Sequence, residues 1–330
     1  MYDAVKKLFN GKDMSLAESL KVFEGIMKGE FDDDIVSAVL IALKMKGETA
    51  TEIYVAAKVL NDLKFRFEHS KRPCIDTCGT GGDGKSCVNV STAVSIILSS
   101  LGHNVVKHGN VAISGKVGSA DILDMLGIPV KLSVDEMREF YERNGFVFLL
   151  APMFHPAMKN VAQIRKKLGV PTIFNLLGPL VNPADPEYQI IGVGSKDKLE
   201  VYAEAASKFK NKKFIVYSSL DGYDEVSTKE PTRCYKIIDG QISEFVLKPE
   251  DFFEPFDMPS VSSKEEAKRL FLEGIIGENE KISILFAINT ALALHLIDNS
   301  SIDDGFEKVL QHLKSGKVIE KLESLKGVSA

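Results

Sequence analysis

Gly79-Thr80-Gly81-Gly82-Asp83-Gly84-Lys85-Ser86 is the stretch on which the fold turns. Alone it satisfies the nucleotide-loop pattern G-x-x-x-x-G-K-[ST]. Together with Lys107-His108-Gly109-Asn110 and Asp224-Glu225, it fits instead a pyrophosphate-and-magnesium site for an activated sugar. The local physics is common to both. Glycines let the backbone approach a ligand, and their N–H groups cradle phosphate oxygens. Four glycines in six residues also cost chain entropy that a plain turn does not need. A β-prone run at 74–77 precedes the loop, and a helical stretch begins near Ser91. The loop therefore falls at the carboxyl end of a sheet, where open α/β folds bind ligands.

Outward from the loop, the chain reads as two regions. Roughly the first 65 residues carry helical patterns only. Ser15-x-x-Glu18 and Thr49-x-x-Glu52 are capping boxes, and the stretch 34–46 between them is apolar nearly all round. A helix of that kind must bury both faces, one of them against the larger region or a second copy of the chain. Segment 64–73 is charged, ends in Pro73 and reads as a linker. From residue 74 onward, β-prone runs at 74–77, 104–107, 128–132, 146–151, 189–193 and 214–218 alternate with helical stretches. Such alternation predicts an α/β fold with a mainly parallel sheet flanked by helices. Asp239-Gly240 inside 233–247 predicts a β-hairpin. The rest, from about residue 263, reads as mostly helical.

Composition narrows the function. The 330 residues are 45% hydrophobic and 26% charged, with a net charge of −5. That balance argues against nonspecific nucleic-acid binding. The N-terminus has no apolar core of a signal peptide, and the apolar run 284–297 carries Asn289 and His295, so it reads as a buried helix rather than a membrane span. Cys74, Cys78, Cys87 and Cys234 form no C-x-x-C pair. They read as reduced thiols of a cytoplasmic protein, with no zinc site.

The remaining candidates each have a plain reading beside the functional one. Asn89, Ser91 and Thr92 open a helix and could simply cap it, or could hold an anion or metal at its positive end. Lys107 and Asn110 flank Gly109 in a way that suits a phosphate or carboxylate, or a solvated loop. Gly118-Ser119 could donate to a phosphate, with Asp121 offsetting the helix dipole. Adjacent Asp224 and Glu225 repel, and Mg²⁺ with substrate phosphates is the natural remedy. Arg165 could clamp a carboxylate through two hydrogen bonds, or lie on the surface. Segment 172–183 is dense in Asn, Gly and Pro.

This constellation resembles the anthranilate phosphoribosyltransferase family over nearly the whole chain. The matching residues are 79–84, Asn89 with Ser91-Thr92, 107–110, 118–121, 155–159, Arg165, 172–183 and Asp224-Glu225. Several motifs in the same order make the match specific. The resemblance implies transfer of a phosphoribosyl group from phosphoribosyl pyrophosphate (PRPP) to anthranilate, with Mg²⁺, in tryptophan biosynthesis. It implies a helical domain at 1–66, with part of 170–186 packing on it or acting as a hinge, and an α/β domain at 74–330. It also implies a homodimer joined through the helical domain.

By resemblance, PRPP is held by Gly79, Gly82, Asp83, Cys87, Asn89, Val90, Ser91, Thr92, Lys107, His108, Gly109, Asn110 and Ser119. Ser91, Asp224 and Glu225 hold Mg²⁺. Gly79, Asn110, Arg165, His108, His155 and Pro179 serve anthranilate, and Lys107, Asp83 and Arg165 carry catalysis. Three positions depart from the family pattern. Cys87 replaces a hydroxyl residue for which Ser86 could substitute, and Val111 and Pro171 replace arginines. Rival readings are a P-loop NTPase, a transferase using another aromatic amine, a nucleoside phosphorylase of the same fold, and a non-catalytic ligand-binding homologue.

Overall fold

The computed structural model describes residues 2–85, 87–111 and 117–327. Ser86 therefore lies outside the described residues. Four helices open the chain: α1 (Tyr2–Phe9), α2 (Leu16–Lys28), α3 (Asp33–Lys46) and α4 (Ala50–Leu63). Both expected capping boxes are formed. Ser15 and Thr49 accept the N–H groups of Glu18 and Glu52, whose carboxylates reach back to the cap N–H groups.

Among the described residues, a seven-stranded sheet forms next, in the order β3-β2-β1-β4-β5-β6-β7. Its strands are β1 (Cys74–Asp76), β2 (Asn104–Gly109), β3 (Phe146–Leu150), β4 (Tyr188–Gly192), β5 (Lys213–Ser219), β6 (Thr232–Ile238) and β7 (Gln241–Leu247). The first five are parallel, and β6 and β7 close the edge as an antiparallel hairpin. Helices α5 (Val90–Ser100), α6 (Ser119–Met125), α7 (Val134–Asn144), α8 (Ala151–Phe154), α9 (Lys159–Leu168), α10 (Phe174–Leu177) and α11 (Leu199–Ser207) fill the crossovers. The C-terminal layer is α12 (Lys264–Ile275), α13 (Glu280–Ile297), α14 (Ile302–Lys314) and α15 (Lys317–Leu325).

Strand order reverses between β1 and β4, one side running to β2 and β3 and the other to β5. The crevice outside the carboxyl ends there is the ligand position of doubly wound sheets. The glycine loop leaves β1 at that point.

Two large cores sit on the two faces of the sheet, beside a smaller cluster around Phe67, Tyr141 and Phe154. One joins α5, α12, α13, α14 and α15 to the sheet. The apolar run singled out in the sequence is its central helix α13, with Phe286, Ala287, Leu292 and Ala293 fully buried. The other core unites α1–α4 with Ile173, Phe174, Leu177, Leu180 and Val181. The segment 172–183 thus packs with the helical bundle.

Three expectations change. Residues 128–132 form no strand. Ile128 and Val130 are buried in alternation as in a strand, but Pro129 lacks an N–H, and β2 pairs directly with β3, leaving no slot between them. Segment 64–73 is not a free linker. Phe65 N–H donates to the Phe154 carbonyl and Phe67 N–H to that of Pro183, and the Phe67 ring is buried. Helix α3 buries one face fully, through Val36, Val39, Leu40 and Leu43. Its other face, with Ile35, Ala38, Ile41 and Ala42, is only half covered within one chain, and Met45 is 83% exposed.

Candidate active site

The glycine loop rests on the end of β4 and the turn that follows it. Thr80 N–H donates to the Gly192 carbonyl (2.8 Å), and Gly194 N–H donates to Thr80 Oγ1 (3.1 Å). Gly81, Gly82 and Gly84 have φ of +62°, +80° and +72°, a region a side chain would strain. Gly192 is required for a different reason: a Cβ there would overlap the Asp224 carbonyl.

Beside this loop lies an acidic group. Asp224 Oδ2 accepts the Gly81 N–H at 3.0 Å. Burial, and then the Asp83 carboxylate beside it, push the Asp224 carboxyl up to about 7. Glu225 is pushed well above the usual carboxylate range by burial and then by Asp224, although the Ser91 N–H bonds it. Asn289 of α13 holds the acidic loop in place, accepting the Val226 N–H (2.9 Å) and donating to the Val226 carbonyl. Oxygen donors crowded at the cost of mutual repulsion are what a hard divalent cation relieves. Asp224, Glu225 and nearby Ser91 fit Mg²⁺.

Lys107 enters from the end of β2. It is 1% exposed, and among the described residues its ammonium donates to the Thr77 and Ser91 hydroxyls, both at 3.2 Å. Burial lowers its pKa, against the carboxylates of Asp76 and Glu225. Asp76 is the buried counter-charge. Its two oxygens accept the His108 N–H (3.2 Å) and Asn182 Nδ2 (2.7 Å). Asp76, Cys78 and His108 place ligand atoms within 4.8 Å of one another. With both Asp76 oxygens engaged and Lys107 supplying the positive charge, this is a hydrogen-bonded core rather than a metal cage.

From the loop a cleft of about 690 Å³ runs toward the helical bundle. Gly79, His108, Gly109, Asn110, Ser119, His155, Lys159 and Arg165 line it, so residues far apart in sequence converge there. Arg165 Nη2 donates to Asn175 Oδ1 (3.3 Å), which also accepts the Thr172 N–H. His108 Nδ1 donates to the Gly178 carbonyl at 3.0 Å. A carbonyl only accepts, so Nδ1 carries the proton and Nε2 keeps its lone pair, buried and unpartnered among the described residues. Burial first, and His155 second, pull the His108 pKa down to about 3. Burial and Lys64 pull His155 down to about 4.

Those shifts give a signed prediction. A histidine with a depressed folded pKa contributes stability that is lost as pH falls below its ordinary value of 6.5 toward the folded value. His155→Gln removes that titration. Its stability relative to wild type should therefore improve by about 2 kcal/mol between pH 6.5 and pH 5. Urea denaturation of both proteins at the two pH values measures it, and a constant difference contradicts a neutral buried His155.

Other candidates fall into place unevenly. Asn89 Nδ2 donates to the Val117 carbonyl (3.0 Å), and its Oδ1, like Thr92 Oγ1, is buried without a partner among the described residues. Val90 is fully buried, so only its backbone can serve a ligand. Cys87 packs against the core, and burial raises its thiol pKa well above normal. Pro179 does not reach the cleft. It is buried with its carbonyl accepting Gln189 Nε2 (2.6 Å), and its neighbour Gly178 lines the cleft instead. Val111 and Pro171 are exposed outside the cleft lining, and the Val111 N–H still donates to Asn110 Oδ1 (2.8 Å). Sequence reasoning missed Asp76, Thr77, Asn175, Asn182 and Asn289. Asn175 and Asn182 lie in the Asn-rich stretch already singled out.

Comparison with known proteins agrees with this arrangement. Residues 2–63 match the helical bundle domain of the glycosyl transferase family, and residues 71–319 match its a/b domain. The anthranilate phosphoribosyltransferase of Ignicoccus hospitalis is 38% identical, over 97% of this chain and 95% of that one. The crystal structure of the enzyme of that name from Thermus thermophilus has a TM-score of 0.88 at 32% identity, covering 98% of this chain and 100% of its own. The Saccharomyces cerevisiae enzyme, solved in complex with PRPP and Mg, has a TM-score of 0.87 at 30% identity, covering 98% and 96%. The chain belongs to the anthranilate phosphoribosyltransferase family.

Proposed function

We propose that this chain transfers the 5-phosphoribosyl group of PRPP to the amine of anthranilate, releasing pyrophosphate, in tryptophan biosynthesis. The observation that carries the reading is the convergence at one crevice of a glycine loop, the buried cation of Lys107, the acidic pair Asp224-Glu225 and a cleft ending at Arg165. That is a site for a polyanion beside a place for a small carboxylate.

Each part has a physical task. The loop N–H groups and Lys107 face the pyrophosphate and stabilise charge as the C1′–O bond breaks. Asn89, Thr92 and Ser119 hold the phosphoribosyl part, with the orphaned Asn89 Oδ1 and Thr92 Oγ1 supplying partners. Mg²⁺, held by Ser91, Asp224 and Glu225, would neutralise negative charge on the leaving group. Arg165 and Asn110 hold the anthranilate carboxylate. His108, whose buried Nε2 keeps its lone pair, lines the acceptor side of the cleft. An aromatic amine is neutral near pH 7, so catalysis rests on positioning and electrostatics rather than on a strong base. The bundle and the α/β region, taken as domains 1–66 and 74–330, close over the cleft and exclude water.

The half-covered face of α3, with exposed Met45 and with Tyr2 of α1 55% exposed, supports a homodimer through the helical region. Four free thiols support a location in the cytoplasm, where they stay reduced.

The test is fluorescence-monitored consumption of anthranilate with PRPP and Mg²⁺, each omitted in turn. Loss of signal that needs both supports the reaction. PRPP binding without consumption points to another aromatic amine. Arg165→Ala should raise the anthranilate KM about 10- to 100-fold and leave the PRPP KM within about twofold. Equal rises in both would remove Arg165 from the acceptor site.

A further inference from the structure

Lys85 completes the nucleotide-loop pattern, and the site described so far gives it no task. Its ammonium turns away from the cradle. It donates to the backbone carbonyl of Asp221 and lies 3.8 Å from the centroid of the Tyr223 ring. Both partners belong to the turn that delivers Asp224 and Glu225.

That turn is a firm anchor. Ser219 Oγ accepts the Tyr223 N–H (2.8 Å) and donates to the Tyr223 carbonyl (3.0 Å). Gly222 N–H donates to the Ser219 carbonyl, and Ser227 Oγ donates to Asp221 Oδ2 (2.8 Å). The glycine loop is the softer partner, with three positive-φ glycines from 81 to 84. At its start, the Gly81 N–H already bonds Asp224. Lys85 makes the second attachment, at the loop's far end.

We propose that Lys85 is a positioning residue that straps the glycine loop to the Asp221–Glu225 turn, holding phosphate cradle and metal-binding carboxylates in register, rather than a phosphate ligand. This rests on the PRPP and Mg²⁺ reading above. A phosphate-binding Lys85 would have to leave both a carbonyl and an aromatic face. A strap acts by limiting the loop conformations available before the ligand arrives.

The test uses Lys85→Met, which keeps the stem and removes the charge, and Lys85→Arg, which can still donate to the carbonyl and stack on the ring. Lys85 is half-buried at the surface, so both variants should fold. The first readout is amide exchange of the ligand-free protein. Peptides covering 79–85 should exchange about five- to tenfold faster in Lys85→Met and at the wild-type rate in Lys85→Arg. The second is calorimetric PRPP binding. With Mg²⁺, Lys85→Met should bind about five- to tenfold more weakly, and without Mg²⁺ within about twofold of wild type. Unchanged exchange overturns the strap. An equal loss of affinity with and without Mg²⁺ also overturns it, and makes Lys85 a direct phosphate ligand. Wild-type protein that binds no PRPP under either condition overturns the functional reading instead, and the exchange data then decide the strap by themselves.

Discussion

Glu225→Gln is expected to raise the melting temperature of the metal-free protein at pH 8 by several degrees, while lowering turnover about 10²- to 10³-fold. The two effects share one cause. In the ligand-free fold, Glu225 is half-buried against Asp224, with Asp83 close by, and loss of hydration and then the Asp224 charge raise its pKa well above the usual range. A carboxyl with a raised folded pKa stabilises the protein fully only below its ordinary pKa and loses that contribution as pH rises through the folded value. For Asp224 the window runs from about 4 to about 7. Metal-free wild type therefore carries a destabilising charge cluster at pH 8, and the neutral amide relieves it. In the proposed reaction the same substitution removes a ligand of the cation that would offset charge on the departing pyrophosphate, so turnover should fall.

Scanning calorimetry of both proteins at pH 4.5 and pH 8, with and without Mg²⁺ and pyrophosphate, checks the pair of effects. Wild type should gain stability from the ligands and the variant should gain little. His108 and His155 titrate in the opposite sense, losing stability toward acid, so the comparison is wild type against variant at each pH. A variant less stable than wild type at pH 8 would contradict the crowded-carboxylate account. Stability bought at the expense of function is a common signature of an active site.

Such a cluster was legible in the sequence because its members are neighbours. Asp224 and Glu225 are adjacent, the loop glycines lie within six residues, and Lys107 to Asn110 is one unbroken run. Local chemistry survives in sequence order. The capping boxes and the Asp239-Gly240 hairpin were readable for the same reason. Pairings across the chain were not. Nothing near Asp76 announces that an asparagine 106 positions away satisfies it, and nothing near Val226 announces Asn289. The segment 128–132 shows the converse. Alternating burial of Ile128 and Val130 gives the period of a strand, yet a strand needs a neighbour with free hydrogen bonds. Periodicity reports which side chains face inward, and the ladder is decided elsewhere. Pro179 failed on scale: the correct segment lines the cleft, but through Gly178, one residue away.

Asn182→Ala should cost about 3–5 kcal/mol, a large part of the total for a protein of ordinary stability. Asn182 is 1% exposed, and every polar atom of its side chain is used. Nδ2 donates to Asp76 Oδ2 at 2.7 Å and to the Val106 carbonyl at 2.8 Å, and Oδ1 accepts the Ala184 N–H at 2.8 Å. Alanine takes a hydrogen bond from three buried groups, one of them a carboxylate. An unsatisfied buried group costs about 1–3 kcal/mol, and a charged one more, whereas the small cavity left by an asparagine adds less. The loss also reaches the site, because the other oxygen of Asp76 holds the His108 N–H and its charge faces Lys107.

Asn182→Asp separates hydrogen bonding from volume. It keeps the acceptor for Ala184 and the size of the side chain, but sets a second carboxylate against Asp76. Burial already pushes Asp76 up to about 6, so at pH 5 the pair can share a proton and restore one hydrogen bond. Asn182→Asp should therefore be as damaging as alanine at pH 8 and recover part of the loss at pH 5, where alanine recovers little. Urea denaturation at both pH values reads this directly. If both variants lose less than about 1 kcal/mol at pH 8, Asp76 does not depend on Asn182. The fixed position of His108 and the counter-charge for Lys107 would then need another source.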